Sequence, residues 1–409
     1  MNQETADIVI IGGGLLGTSV AYHLARRKAG KIILFERQDI ASQATSRAAC
    51  LLTRARTKQI LMHLVQETYD CITQIESELG ESLDMQQVGS ITAAASPATE
   101  QGIEELISAA DAFGIPYERI DRCEVKWHLP WITPDTVTKA VYMPTDAFID
   151  SAQLCNGYAK AAKRLGVTLR SRTGVREILR TNDKVSGVRL DNGDEISAPI
   201  VVDAAGSWAN LLSYPLGIGL PMTPVRSHFW ITEVNSTLFP ANEPFAVLPD
   251  ARAFTRPDVG GLIIGIREPQ CISYDPQKLA DSIEHVDFTP DNGWATLSEC
   301  AGGFEPFFPK FRDLGIAHYI AGPSCYVPDA MFVVGSVPEV PGFFTATGCC
   351  GAGVAAGGGI GRLLSEQILG MDTFVDGSLF DPLRFGAINP FDAAFQQSCA
   401  NARSNKKGG

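Results

Sequence analysis

The sequence lacks the features that mark several common classes of protein. Its formal net charge is −12 and no block of like charges stands out. This argues against nucleic acid or an anionic membrane surface as a partner, because both require a basic face. No apolar run approaches the roughly 20 residues of a membrane-spanning helix, and the first residues, MNQETADIVIIGGG, lack the basic region of a signal peptide. We therefore expect a cytoplasmic protein with no transmembrane segment.

The cysteines form no metal-binding pattern. There are ten of them, none is part of a C-x-x-C pair, and the adjacent Cys349 and Cys350 fit no zinc motif. Scattered cysteines in a chain of this length are typical of a reducing compartment. We predict no metal site.

A nucleotide-binding fingerprint is present near the start of the chain. The apolar run from Ile8 to Ile11 predicts a buried parallel strand, and a helix is predicted from about Leu15 to Arg27. The glycines between and within them, at positions 12, 14 and 17, form G-x-G-x-x-G, which lets the backbone approach a pyrophosphate at the helix N-terminus. A second apolar run ends in Glu36, about twenty residues past the glycines, where a carboxylate accepts hydrogen bonds from a ribose. These features together predict a dinucleotide site.

Two further segments indicate that the nucleotide is FAD and not NAD. IVVDAAGSWA is a predicted buried strand that runs into Gly206, and GFFTATGCCGAGVAAGGGIG is a predicted strand followed by a glycine-rich loop and a helix. At 409 residues the chain is long enough for two domains. Three separated pieces that each supply a strand and a loop favour a discontinuous domain around the larger cofactor.

The sequence resembles the FAD-dependent amine and amino-acid oxidoreductases of the D-amino-acid oxidase superfamily, from IVIIGGGLLG to DPLRF. PVRSHFWITE, TRPDVGGLIIGIREP and AGPSCYVPDAMFVVGSVPEVPGFFTATG are most similar to the sarcosine and dimethylglycine dehydrogenase branch. They also resemble the flavin subunits of bacterial sarcosine oxidase and of proline or opine dehydrogenases. The resemblance implies an α/β fold, with a discontinuous Rossmann-like FAD-binding domain and a substrate domain on a mixed, largely antiparallel sheet.

The resemblance also divides the chain. It implies a FAD-binding domain made of residues 1–85, 145–220 and 325–385, and a substrate domain made of residues 86–144 and 221–324. Residues 386–409 form a C-terminal extension, whose last part, SCANARSNKKGG, is polar and is expected to be frayed.

Arg47 lies at the position where, according to the resemblance, some relatives attach the flavin covalently. In the dimethylglycine dehydrogenase branch the segment resembles S-T-W-H-A-A-G, and its histidine bonds to the flavin; Arg47 cannot form that bond, so FAD is predicted to be non-covalent. Cys325 is the alternative attachment site, although its interpretation as a buried free cysteine is favoured. The residues expected to contact FAD are Gly12, Gly14, Gly17, Glu36, Ser46, Arg47, Val175, Gly206, Gly348 and Gly351.

The substrate side is expected to hold a carboxylate and an uncharged amine. Arg54 and Arg56 are predicted at the start of a helix, on different faces, so at most one should point at the flavin; Arg54 is the preferred carboxylate clamp. The resemblance adds Arg267, which falls where related oxidases carry a histidine, while Phe254 and Tyr326 are candidate aromatic contacts of the substrate. His228 is interpreted as a core histidine.

The predicted function is FAD-dependent oxidation of the C–N bond of a secondary or tertiary amine bearing a carboxylate, such as an N-methyl amino acid, an imino acid or an opine-like compound. Ile263 replaces the lysine that activates O2 in related oxidases, which favours a dehydrogenase that passes electrons to a flavoprotein or a quinone. The alternatives are an O2-using oxidase, a flavin subunit of a heteromeric complex, and an NAD-binding protein. Homo- and hetero-oligomers both stay open.

Overall fold

The computed structural model describes residues 4–288, 291 and 293–406. Within these ranges the α-helices are α1 (Leu15–Arg26), α2 (Gln59–Leu79), α3 (Pro97–Phe113), α4 (Arg122–His128), α5 (Ser151–Arg164), α6 (Ala209–Ser213), α7 (Trp294–Phe304), α8 (Gly353–Ile368) and α9 (Ala393–Ser404). The strands are β1 (Glu4–Thr5), β2 (Ile8–Ile11), β3 (Ile32–Phe35), β4 (Leu51–Leu52), β5 (Ser90–Ala94), β6 (Glu118–Ile120), β7 (Lys139–Met143), β8 (Ala147–Phe148), β9 (Thr168–Arg170), β10 (Val175–Thr181), β11 (Lys184–Leu190), β12 (Glu195–Ser197), β13 (Ile200–Asp203), β14 (Thr223–Thr232), β15 (Phe245–Leu248), β16 (Ala253–Asp258), β17 (Gly261–Ile266), β18 (Ile316–Tyr326), β19 (Val333–Ser336) and β20 (Phe343–Thr347).

A six-stranded sheet in the order β19-β20-β13-β2-β3-β9 forms the centre of the first region. All its pairings are parallel except that of β19 with β20. Strand β2 is buried on both faces: Ile8 and Ile10 pack with the helices, while Val9 and Ile11 pack on the side of a four-stranded sheet in the order β1-β12-β11-β10. This explains why the first strand is a continuous apolar run.

Helices α1, α2, α5 and α8 cover one face of the six-stranded sheet. Helix α8 approaches its neighbours closely because it contains glycines: a Cβ on Gly359 would lie 2.3 Å from Leu64 Cα, and one on Gly361 would lie 2.2 Å from Ser19 Oγ. The glycine cluster at 357–361 therefore packs helices, and the loop before it, at residues 348–353, reaches the site.

An eight-stranded sheet in the order β18-β14-β17-β16-β15-β5-β7-β6 forms the second region. Only β15 and β5 pair in parallel, so this sheet is mixed and largely antiparallel, as predicted. An aromatic core that includes Trp131, Trp230, Phe304 and Phe308 fills the space behind it. The predicted fold class is confirmed. The predicted substrate-domain segments supply these strands, with β18 continuing to Tyr326, and the domain boundaries stay a prediction.

Helix α9 contradicts the expectation of a frayed end. Asp392 caps its first turn, and its Cys399 and Ala400 are fully buried against β14 and β18. The prediction was wrong for residues 398–404, which belong to this helix, because the polar composition of the segment hides a narrow apolar stripe. None of the described helices is long and apolar enough to cross a bilayer.

Candidate functional site

One cleft runs between the two regions and encloses about 2050 Å³, including the solvent at its mouth. It starts at the carboxyl ends of β2, β13 and β20 and extends to the face of the eight-stranded sheet formed by β16, β17 and β18. Ligands of open α/β sheets bind at the carboxyl ends of parallel strands, so the position of the cleft is the expected one.

The loop after β2 forms the floor of the first end of the cleft. Gly12 has φ +109°, and a Cβ there would lie 2.3 Å from the carbonyl oxygen of Ala204. Gly14 is the N-cap of α1 and lines the cleft without a side chain. Gly17 does not line it: a Cβ on Gly17 would lie 2.0 Å from the Gly12 oxygen, so this glycine lets α1 pack against the strand.

Glu36 lies beside this loop at the end of β3. It is 8% exposed and lines the cleft, and its two carboxylate oxygens accept hydrogen bonds from the backbone nitrogens of Gly13 and Gln38, each at 2.7 Å. The backbone thereby fixes the carboxylate, whose remaining lone pairs can accept hydrogen bonds from a ribose.

The turn formed by Ala44–Arg47 closes over the N-terminus of α1. Thr45 Oγ1 accepts a hydrogen bond from Leu15 N at 3.1 Å. Arg47 lines the cleft, and its buried Nε has no hydrogen-bond partner among the described residues. Ser46, in contrast, does not line the cleft: its hydroxyl donates to the carbonyls of Ser42 and Gln43.

The cleft is also lined by the other residues expected to contact the cofactor. Val175, Gly206, Gly348 and Gly351 all line the cleft. Cys325 lines it as well, but it is 5% exposed, and burial raises the pKa of its thiol to about 12.

The second end of the cleft is aromatic and basic. Phe254, Arg267 and Tyr326 line it, from β16, from the end of β17 and from β18. The Phe254 ring packs over Gly265 of the neighbouring strand β17, where a Cβ would lie 2.1 Å from the ring. Ile263, which the resemblance placed near the flavin, does not line the cleft.

Only one of the two arginines, Arg54 and Arg56, lines the cleft, and it is Arg56 and not the preferred Arg54. Helix α2 begins only at Gln59, so both arginines lie on the extended segment before it, and the predicted earlier helix start was wrong. Arg54 stacks on the Tyr69 ring, 4.3 Å from its centroid, and donates to Gln66. Arg56 lines the cleft.

Two basic residues at this end of the cleft, Arg403 and Lys406, were not predicted. Arg403 on α9 is 7% exposed, and its Nη1 donates to the Tyr326 hydroxyl at 3.1 Å. Lys406 follows the helix and donates to the Cys350 carbonyl at 3.1 Å. Burial, followed by the charges of Arg56 and Arg267, lowers the pKa of Lys406 to about 7. No local sequence motif predicts these residues as part of the site, because only the packing of α9 brings them to the cleft.

His228 is buried yet lines the cleft. Its Nε2 lies 3.0 Å from Glu268 Oε2, and Arg226 Nε lies 3.2 Å from the other oxygen of that carboxylate. Burial lowers the pKa of His228. Desolvation raises the pKa of Glu268, but the interaction with His228 and the charge of Arg403 outweigh it and hold that pKa at about 2. The buried charge of Arg226 is therefore balanced within the protein.

A sequence model of the family described as FAD dependent oxidoreductase matches residues 7–367. The chain belongs to this family. Its cofactor is FAD, and the first end of the cleft fits that cofactor: Gly12 and Gly14 line it with backbone alone, Glu36 presents a fixed carboxylate, and Arg47 offers an N–H without a partner among the described residues.

The relatives agree with the branch that the sequence indicated. The chain is 28% identical to the sarcosine dehydrogenase, mitochondrial, of Mus musculus, over 90% of this chain and 40% of the relative. It is also 28% identical to the pyruvate dehydrogenase phosphatase regulatory subunit, mitochondrial, of Mus musculus, over 89% of this chain and 41% of the relative. The chain thus spans about two fifths of the length of these relatives.

Among solved structures, the L-proline dehydrogenase from P. horikoshii superimposes with a TM-score of 0.82 at 25% identity, covering 94% of this chain and 98% of that chain. The glycine oxidase from Geobacillus kaustophilus gives 0.78 at 20% identity, covering 93% and 99%, which shows a shared fold.

Proposed function

We propose that this FAD-dependent oxidoreductase oxidises the C–N bond of a secondary or tertiary amine that bears a carboxylate. One observation supports this most: the dinucleotide cradle and a chamber lined by Phe254, Arg267, Tyr326 and Arg403 belong to the same cleft. The names of the relatives point the same way, because sarcosine, dimethylglycine and proline are secondary or tertiary amines with a carboxylate.

Arg403 and Arg267 are the proposed carboxylate ligands. The Arg403 guanidinium is held by the Tyr326 hydroxyl and stands 5.6 Å from the centroid of its ring, so its orientation is fixed before a ligand arrives. Guanidinium groups bind carboxylates through two parallel hydrogen bonds. The substrate would thereby be anchored by its acid group.

The same charges favour the reactive form of the amine. The acidic residues that line the cleft are Glu36, at the dinucleotide end, and Asp281, which pairs with Arg37. Several cations line this chamber, and none of its described lining residues is a carboxylate, which disfavours an ammonium ion; a neutral nitrogen has the lone pair that C–H cleavage needs. FAD, when bound, accepts the hydride equivalent; Phe254 and Tyr326 exclude water while the C–N bond becomes an imine, which hydrolyses in solution.

We propose that the flavin is held without a covalent bond. Arg47 offers no nucleophile, and the raised pKa of the Cys325 thiol keeps it protonated. Acid precipitation of the purified protein should release yellow FAD into the supernatant, whereas a yellow pellet would contradict this.

We propose a cytoplasmic dehydrogenase that passes electrons to a flavoprotein or a quinone. The support comes from the sequence resemblance, in which Ile263 replaces the oxygen-activating lysine, although Ile263 itself does not line the cleft. Arg267 supplies a positive charge at the cleft, so O2 is the alternative acceptor, and peroxide formed at the rate of aerobic turnover would establish an oxidase.

The decisive experiment is anaerobic addition of N-methyl, cyclic and dicarboxylic amino acids to the FAD-loaded protein. Loss of the flavin absorbance with at least one of them is the expected result. An oxidised flavin with every amine would contradict the proposal.

A second candidate is a flavin-bearing subunit of a larger assembly whose own site turns over no amine. The similarity to a protein named as a regulatory subunit, at 28% identity, favours this candidate. A bound, unreactive flavin together with a co-purifying second chain would support it.

A further inference from the structure

The connection between β17 and α7 crosses from the second region to the first. Residues 275–287, which we call the flap, follow Tyr274, whose backbone nitrogen donates to the Pro224 carbonyl of β14 at 2.9 Å. The flap ends before Phe288, whose carbonyl accepts from the Tyr274 hydroxyl at 3.2 Å, and the two rings pack edge to face with centroids 5.3 Å apart. The ends of the flap are therefore joined, as in Ω-loops, which are often functional.

The tip of the flap is held by side chains of the first region. Trp208 Nε1 donates to the Ala280 carbonyl at 3.2 Å, and Gln43 Oε1 accepts from the backbone nitrogen of Ile283 at 2.9 Å. The Ile283 side chain is 3% exposed and packs in one apolar cluster with Trp208 and Phe288. The flap thus has its base on the second region and its tip on the first.

The contacts at the tip lie at the dinucleotide end of the cleft. Arg37, Gln43 and Trp208 line the cleft there, beside Glu36, and so does Asp281 of the flap, which forms an ion pair with Arg37. The Arg37 guanidinium also lies 5.7 Å from the centroid of the Trp208 ring. Because this end of the cleft fits FAD, the flap forms part of the wall beside the cofactor.

The attachment of the flap is weak for a wall of a cofactor site. Of its residues, Pro276, Ser282 and Ile283 are buried, and Ile283 is the large apolar side chain at the tip. The Asp281 side chain is 82% exposed, and ion pairs at such exposure contribute little to stability. Segments with few buried apolar contacts open locally while the rest of the protein stays folded. The tip can therefore detach on its own.

We propose that the flap retains FAD: the cofactor leaves the protein only after the tip has detached from Trp208 and Gln43, and Ile283 is the residue that holds the tip closed. The pair formed by Tyr274 and Phe288 stays in place and serves as the hinge. Opening of the flap then limits the dissociation of FAD. This inference concerns the cofactor, so it stands whichever substrate the cleft binds.

Substitutions of Ile283 test the proposal without changing the lining of the cleft, because this side chain is buried but does not line it. Ile283→Ala should speed FAD dissociation at least about tenfold, and Ile283→Val, which removes one methyl group, about threefold. Ile107→Ala is the matched control, since Ile107 is also 3% exposed but lies on α3 in a different apolar cluster. The FAD that stays on the protein after dilution is measured over time by rapid ultrafiltration, and thermal melting curves show that each variant is folded.

Trypsin reports the opening of the flap independently of the flavin. Lys278 is the one lysine or arginine in residues 275–287, and its side chain is 83% exposed. When opening and closing are fast, the rate of cleavage tracks the population of the open form. Ile283→Ala should therefore raise the rate of cleavage after Lys278 by about the same factor as the rate of FAD dissociation.

Each outcome decides the proposal. Parallel increases of both rates, confined to the variants at position 283, are expected. Faster cleavage after Lys278 with unchanged FAD dissociation would overturn the proposal, because the flap would then open without releasing the cofactor. Two unchanged rates would also overturn it, since Ile283 would not hold the tip. An equal acceleration of FAD dissociation in Ile107→Ala would assign the effect to a general loss of stability and contradict a role of the flap.

Discussion

The two ends of the cleft are built in different ways. The dinucleotide end comes largely from one continuous stretch, residues 8–47, in which a strand, a glycine loop, a helix and a second strand follow each other. The basic end is assembled from residues 56, 254, 267, 326 and 403–406, which four separate segments bring together. A site in one stretch is determined by local geometry, whereas a site from distant segments depends on how the whole fold packs. The two ends should therefore respond differently to substitution.

The largest effect is expected at Gly12. Gly12→Ala places a Cβ at φ +109° and 2.3 Å from the Ala204 oxygen, which should lower the free energy of unfolding by about 3–5 kcal/mol and abolish FAD binding. Urea unfolding and the flavin content of the purified protein measure both quantities. Gly80→Ala is the control, because Gly80 has φ +68° with nothing within 4 Å, so only the backbone strain of about 1 kcal/mol should be felt. Similar losses in both variants would contradict the close packing at Gly12.

Arg403→Met should affect the other end alone. We expect the Kd of a carboxylate-bearing ligand to rise roughly 30-fold or more, because the loss of a buried charge pair costs about 2–5 kcal/mol, while FAD binding is retained. Titration of the flavin absorbance with methoxyacetate, the ether analogue of sarcosine, measures this, and Arg403→Lys should recover part of the affinity. A variant that loses its flavin would show that the two ends are not independent.

Arg56 and Arg54 form a natural pair within the basic end. Arg56→Gln should weaken ligand binding roughly tenfold, because this arginine lines the cleft, whereas Arg54→Gln should change it less than twofold, because Arg54 is engaged with Tyr69 and Gln66. The same titration compares them. The reverse order would restore Arg54 as the carboxylate clamp.

Lys406 should make anion binding depend on pH. Its pKa is lowered to about 7, so it is charged below that pH and neutral above it, and the affinity for methoxyacetate should fall about fivefold between pH 6 and 9. Ligand binding opposes this shift by favouring the charged form. Lys406→Arg should bind with constant affinity over the same range, and an identical pH profile in both proteins would assign the titration to another group.

The smallest effect is expected from Ser46→Ala. Because its hydroxyl is turned toward the carbonyls of Ser42 and Gln43, FAD affinity should change by less than about twofold, whereas Thr45→Ala removes the oxygen that accepts from Leu15 N and should cost about 1 kcal/mol of stability. Apoprotein reconstitution with FAD measures the first quantity and thermal unfolding the second.

The sequence carried more information about the first end than about the second. Gly12, Gly14 and Glu36 were predictable because their spacing is fixed by one strand–loop–helix unit, and the order of strands explains why Gly206 and Gly348 join them. Gly17 was named from the same motif and Ser46 from the resemblance, but neither lines the cleft: Gly17 allows close packing of α1, and the Ser46 hydroxyl donates to nearby carbonyls.

The second end was only partly predictable. Arg267, Phe254 and Tyr326 followed from a resemblance, which transfers positions that relatives share. Arg403 and Lys406 had no such signal, because they belong to a polar segment that looks frayed in composition and reaches the cleft only through the packing of α9 against β14 and β18. Arg54 was preferred to Arg56 as the carboxylate clamp on the assumption that both lie in a helix. The helix begins later, at Gln59, and Arg56 is the arginine that lines the cleft.

The most direct test is a crystal structure of the protein with FAD and methoxyacetate bound together. We predict that the carboxylate lies about 3 Å from the guanidinium of Arg403, next to Tyr326, while the pyrophosphate of FAD lies over Gly12 and the N-terminus of α1. A carboxylate bound elsewhere, with Arg403 instead contacting the cofactor, would contradict the division of the cleft into a dinucleotide end and a substrate end.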